Sequence, residues 1–122
     1  MERIDEFTVD GKNFMYIDLS HIKKNDIFLE VSSAATQSAA KYPEKSVYTI
    51  INIEGTMFDT DTKIIAAQCF EQNTPFVKYG AVIGLDGIKK IMLNAAFKIS
   101  GRNNMHFCLN KEHAIEWLLQ QE

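Results

Sequence analysis

The chain has 122 residues, 46% of them hydrophobic and 24% charged, with a formal net charge of -3. These are the proportions of one compact globular domain, and they argue against a disordered chain, a fibrous repeat or a second domain. The acidic balance and scattered lysines argue against a nucleic-acid binder that relies on phosphate neutralisation.

In chain order, residues 5–9 and 13–19 predict two short strands joined through Asp10-Gly11, a common hairpin turn pair. From Lys24 to Ala40 the residues Ile27, Val31, Ala34, Ala35 and Ser38 recur at helical spacing, and Tyr42-Pro43 ends the helix. The β-branched run from Val47 to Ile53 predicts a buried strand that Gly55 breaks. A second helix is expected from Thr60 to Asn73, with Ile65, Ala66, Cys69 and Phe70 inward and Pro75 closing it. A strand over 79–84, a helix over 87–100, a strand over 105–109 and a helix over 111–121 complete the alternation, the last burying Ala114, Trp117 and Leu118. The expected fold is therefore α/β: a single domain over 1–122 in which an N-terminal hairpin leads into alternating helices and strands, with about five strands in a mixed sheet and four helices.

No run reaches the ~18 to 20 apolar residues of a membrane span. The opening MERIDEFTVDG also lacks a signal-peptide core, so a cytoplasmic protein is expected. Cys69 and Cys108 stand alone within apolar segments, the pattern of reduced core thiols, and no bridge is expected.

Enzymatic chemistry finds little footing. His21, His106 and His113 have neither the HExxH spacing nor a cysteine pair that would make a zinc site. Cys108 is expected in mid-strand, away from the helix dipole that activates a thiol. No acidic pair accompanies Asp18, so the magnesium site of a response-regulator receiver is not assembled. Gly84-Leu85-Asp86-Gly87, followed by Lys89 and Lys90, reads as a tight turn with an Asp cap or as a weak phosphate cradle. No metal or cofactor is expected.

The stretch Tyr48 to Lys63, YTIINIEGTMFDTDTK, carries the most information: a buried strand passes through an acidic turn straight into a helix start. It resembles the switch region of STAS domains, the anti-sigma-factor antagonists and the cytoplasmic tails of sulphate transporters. There a strand ending in Asp leads through an apolar "sGvxF" loop to Asp-Ser-Ser-Gly, whose first Ser or Thr is phosphorylated. Asn52 stands at the strand-end position, Gly55 and Phe58 match the loop, and Asp59-Thr60 matches Asp-Ser. Asp61-Thr62 replaces the small residue and glycine. Ala81-Val82-Ile83-Gly84, Phe107 and the HAIEWL segment ending at Leu118 look like STAS/SEC14-type proteins. The resemblance implies a non-enzymatic regulatory domain with Thr60 as the phospho-switch. It implies a partner-binding loop of Gly55, Thr56, Met57, Phe58, Asp59, Asp61 and Thr62, and a protein partner such as an anti-sigma factor or kinase-like regulator. Read without it, Asp59 or Thr60 is an ordinary helix cap.

A second surface is expected on the helix over 87–100. At about 100° per residue, Ile88, Ile91, Met92, Ala95 and Ile99 make a core stripe, leaving Leu93 and Phe97 outward. Lys89, Lys90, Lys98 and Arg102 would rim them, which suits an anionic membrane surface or a partner. The alternative function is thus a SEC14-type lipid or small-molecule binding module, or a membrane-surface tether.

Overall fold

A computed structural model describes residues 2–121; Met1 and Glu122, the ends of the expected domain, lie outside the described residues. It is an α/β fold of five strands and four helices: β1 (Ile4–Val9), β2 (Lys12–Asp18), α1 (Asn25–Ala39), β3 (Val47–Asn52), α2 (Thr60–Asn73), β4 (Val77–Ile83), α3 (Gly87–Ser100), β5 (Met105–Phe107) and α4 (Lys111–Leu119). The sheet order follows the chain, β1-β2-β3-β4-β5, with β1 antiparallel to β2 and every later pair parallel.

The hairpin turns at Asp10 and Gly11, both at positive φ (51° and 77°), as a two-residue turn matched to strand twist requires. Beyond it, side-chain alternation sorts the strands into two cores. Met15, Ile17, Val47, Ile51, Ile53 and Val82 meet α1, α2 and α3 on one face. Phe14, Tyr48, Ile50, Ala81 and Ile83 meet α4 on the other, through Ala114 and Leu118. Three consecutive crossovers thus lay three helices side by side, and the loops after β2, β3, β4 and β5 gather at the carboxyl edge of the sheet.

Two helices settle differently from expectation. In α1 the buried face is Phe28, Val31, Ser32, Ala35 and Ala39, and Ile27 is 39% exposed. The helix is turned by about one residue because Phe28 meets the ring of Phe58 edge-on, with centroids 6.1 Å apart. In α3 the faces are reversed. Leu93, Ala96 and Phe97 are buried, whereas Ile88 and Ile91 are each 72% exposed and Ile99 is 64% exposed. Phe97 fills the space between α2 and the sheet, 4.8 Å from Phe70 and 6.1 Å from Phe107 between centroids. Leu93 and Phe97 are therefore not a surface patch.

The basic rim is corrected with them. Arg102 is buried, and its guanidinium donates to the carbonyl of Phe70 (2.9 Å), to Asn73 Oδ1 and to Asn104 Oδ1 (2.8 Å), which replace its water shell. Burial pushes its pKa down to about 10, so it stays a cation at neutral pH. Lys89 turns inward, with its Nζ 3.3 Å from the carbonyl of Ile53 and its side chain 12% exposed. Lys90 and Lys98 remain exposed. Both cysteines are free and buried, Cys69 toward α1 and Cys108 in the α4-side core, and desolvation raises both thiol pKa values.

Candidate functional site

The loop between β3 and α2 is built on top of the one between β2 and α1. Backbone pairing continues past the strand ends: Leu19 N–H donates to the Asn52 carbonyl (2.8 Å), His21 N–H to Glu54 (2.8 Å), and Met57 N–H back to Ile22 (2.9 Å). Two buried hydroxyls lock the pair. Thr56 Oγ1 donates to the Leu19 carbonyl and faces the Ile22 N–H at 3.4 Å, in a side chain 3% exposed. Gly55, at φ 67°, lies under the His21 ring, and Lys23 Nζ reaches its carbonyl at 2.6 Å.

Helix α2 opens on a capping box. Asp59 adopts extended backbone and its carboxylate accepts from the Thr62 N–H at 2.9 Å, while Thr62 Oγ1 faces the Asp59 N–H at 3.3 Å. Thr62 is fully buried and its hydroxyl also bonds to Asn25 Oδ1 (2.6 Å), which ties the start of α2 to the start of α1. Hydrogen bonds from the Thr62 backbone and side chain, then from Asn25 and the Asp61 backbone, hold the Asp59 carboxyl below its ordinary pKa. Where the resembled family has a small residue and glycine, Thr62 is thus a structural hub.

Thr62→Val keeps the shape and removes the hydroxyl, leaving Asn25 and the cap without a shared partner. The expected cost is about 1 to 3 kcal/mol in urea unfolding. Thr62→Ser should recover most of it. Equal stability of wild type and Thr62→Val would contradict the hub.

The loop residues singled out in the sequence are therefore of two kinds. Thr56 and Thr62 are committed inward, and Phe58 is half-buried against the core. Outward stand Met57, 40% exposed, with Asp59, Thr60 and Asp61. Thr60 is the first residue of α2, and among the described residues its hydroxyl makes no hydrogen bond. One turn on, Lys63 and Ile64 share its face, Ile64 being 46% exposed. Asn25 and Lys23 were not singled out in the sequence, and His21 was weighed there only as a zinc ligand. Their partners lie more than 30 residues away, and no local pattern marks such a pairing.

Beside this loop an open groove of about 640 Å³ runs along the ends of β3, β4 and β5, lined among others by Glu54, Gly84, Asp86, Lys89, Lys90 and His113. The turn Gly84 to Gly87 that forms its floor is capped by Asp86, whose carboxylate accepts from the Lys89 N–H at 2.9 Å. The apolar cavity between the helices and the sheet measures about 30 Å³. No helix among the described residues is long and apolar enough to cross a membrane.

No protein-family model and no curated protein matches this sequence.

Proposed function

We propose that this chain is a STAS-like regulatory domain that binds a partner protein through the exposed side of the loop before α2, with Thr60 as its phosphorylation switch. One observation carries the reading: among the described residues, the Thr56 and Thr62 hydroxyls of the loop are spent on holding it, and that of Thr60 makes no hydrogen bond at the helix start. A phosphate there would sit at the positive end of the α2 dipole, a favourable place for an anion, with Lys63 one turn below. The fold would accept it.

The same phosphate adds about two negative charges beside Asp59 and Asp61, which repels any acidic partner patch docked there and leaves Met57 and Ile64 flanked by charge. Phosphorylation would act on association and leave folding alone. Thr60→Glu is accordingly expected to melt within about 0.5 kcal/mol of wild type, as an exposed substitution does. Phosphopeptide mapping of protein recovered from its own host should place phosphate on Thr60. A strongly destabilised Thr60→Glu, or phosphate confined to other residues, would count against the switch.

A further inference from the structure

We infer that the protein forms a two-fold dimer with a second copy of itself, joined edge to edge at β5 with the outer flanks of the two α3 helices packed together. This goes beyond the partner-binding reading and does not depend on it, because it uses the opposite end of the helical layer.

Three features meet on that flank. At about 100° per residue, Ile88, Ile91, Met92, Ala95 and Ile99 occupy one side of α3, opposite Phe97, and Phe97 is the residue that meets α2. The stripe therefore faces away from the neighbouring helix and out past β5, where the helical layer ends. Its three isoleucines are 64% to 72% exposed, and Leu109, just beyond β5, is 85% exposed. An apolar flank of this kind is what a further helix would cover.

Below it lies a free strand edge. Cys108 N–H bonds to the Val82 carbonyl, and Gly80 N–H to that of Asn104. By the alternation of a parallel ladder, the backbone of residues 104, 106 and 108 is turned to β4, and that of Met105 and Phe107 is turned outward. Among the described residues, no hydrogen bond reaches their N–H or carbonyl groups. A lipid surface cannot satisfy those groups, whereas another strand can. The other edge, β1, carries the exposed acids Asp5 and Glu6, the usual protection against strand addition, and β5 carries neither charge nor proline.

A second copy fits the charges as well as the edge. Antiparallel pairing of β5 with β5 about an axis near His106 sets Met105 opposite Phe107 of the second copy and closes the assembly, leaving the acidic β1 edges outermost. Helix α3 runs antiparallel to β4. At about 1.5 Å per helical and 3.3 Å per strand residue, Ile91 comes level with Ala81, the partner of His106. Ile91 then meets its own counterpart at the axis. The Lys98 end of each helix approaches the other copy's Asp86, whose side chain is 62% exposed.

Sedimentation equilibrium of the full chain tests this. Wild type should weigh twice 13.9 kDa, and Ile91→Glu and Ile99→Glu should each be monomeric yet folded, with the circular dichroism of wild type because both side chains are exposed in the single chain, and without the concentration dependence of the wild-type melting temperature. Hydrogen exchange at the amides of Met105 and Phe107 should be about ten-fold or more faster in Ile91→Glu than in wild type. A monomeric wild type at the highest loading concentration would overturn the dimer, as would a dimer that both substitutions leave intact. A monomer that co-sediments with phosphatidylserine vesicles and loses them on Ile91→Glu would assign the stripe to a membrane surface instead.

Discussion

Phe97→Ala is expected to lose about 3 to 5 kcal/mol of folding stability, the usual consequence of emptying a buried aromatic site. The ring closes three contacts at once: Phe70 of α2, Phe107 of β5 and the sheet beneath α3. Neighbouring side chains cannot collapse into that space without moving α3 relative to α2. A domain of this size holds only about 5 to 15 kcal/mol in all, so the variant should unfold at markedly lower urea. Ile91→Ala on the same helix is the internal control: made in the monomeric Ile99→Glu background, it is expected within about 0.5 kcal/mol of Ile99→Glu alone. A large cost at Ile91 with a small one at Phe97 would mean that α3 is rotated by half a turn from the arrangement described.

The second large effect falls on a glycine. Gly84→Ala is expected to cost about 3 kcal/mol, from two sources that add. Gly84 sits at φ 79°, the left-handed region that a Cβ disfavours by about 1 to 2 kcal/mol. An alanine Cβ there would also lie 2.6 Å from the Glu54 backbone nitrogen and 2.7 Å from Asn52 Oδ1. A backbone atom cannot swing aside as a side chain can, so the loops after β3 and β4 must separate. At roughly 3 to 5 °C per kcal/mol for a chain of this length, the melting temperature should fall by about 10 °C or more. Because Asn52 and Glu54 lead directly into the loop before α2, the partner binding proposed for that loop should weaken together with stability. Gly55→Ala is a softer case, since the atoms in its way belong to the His21 ring.

The bounds of α2 and α3 were legible because each helix opens on an Asp that accepts from an N–H three residues on, a local signal that depends on nothing distant. The hairpin was equally local, two residues at positive φ being what Asp-Gly supplies. The alternation of strand and helix, and with it the mixed sheet, followed from the change of period along the chain. The inward face of α3 was not legible, since Leu93 and Phe97 on one side and three isoleucines on the other offer two apolar stripes of similar strength. The deciding fact is the ring of Phe70 on another helix. The same is true of β4, which begins two residues earlier than expected because Val77 pairs with Val47. In the loop, the sequence marked the exposed Met57, Asp59, Thr60 and Asp61 together with the buried Thr56 and Thr62. It could not separate them, because a threonine that caps a helix inward and one that faces solvent have the same local context. What distinguishes Thr62 is Asn25, 37 residues away.

The switch reading is tested most directly by capture of partners from host lysate with wild-type, Thr60→Ala and Thr60→Glu baits side by side, followed by affinity measurement on whatever wild type retains. One specific protein should be held by wild type and Thr60→Ala and weakened about ten-fold or more by Thr60→Glu, a loss of ~1.4 kcal/mol or greater. Equal retention by all three baits would contradict it and return Thr60 to the role of an ordinary first residue of α2.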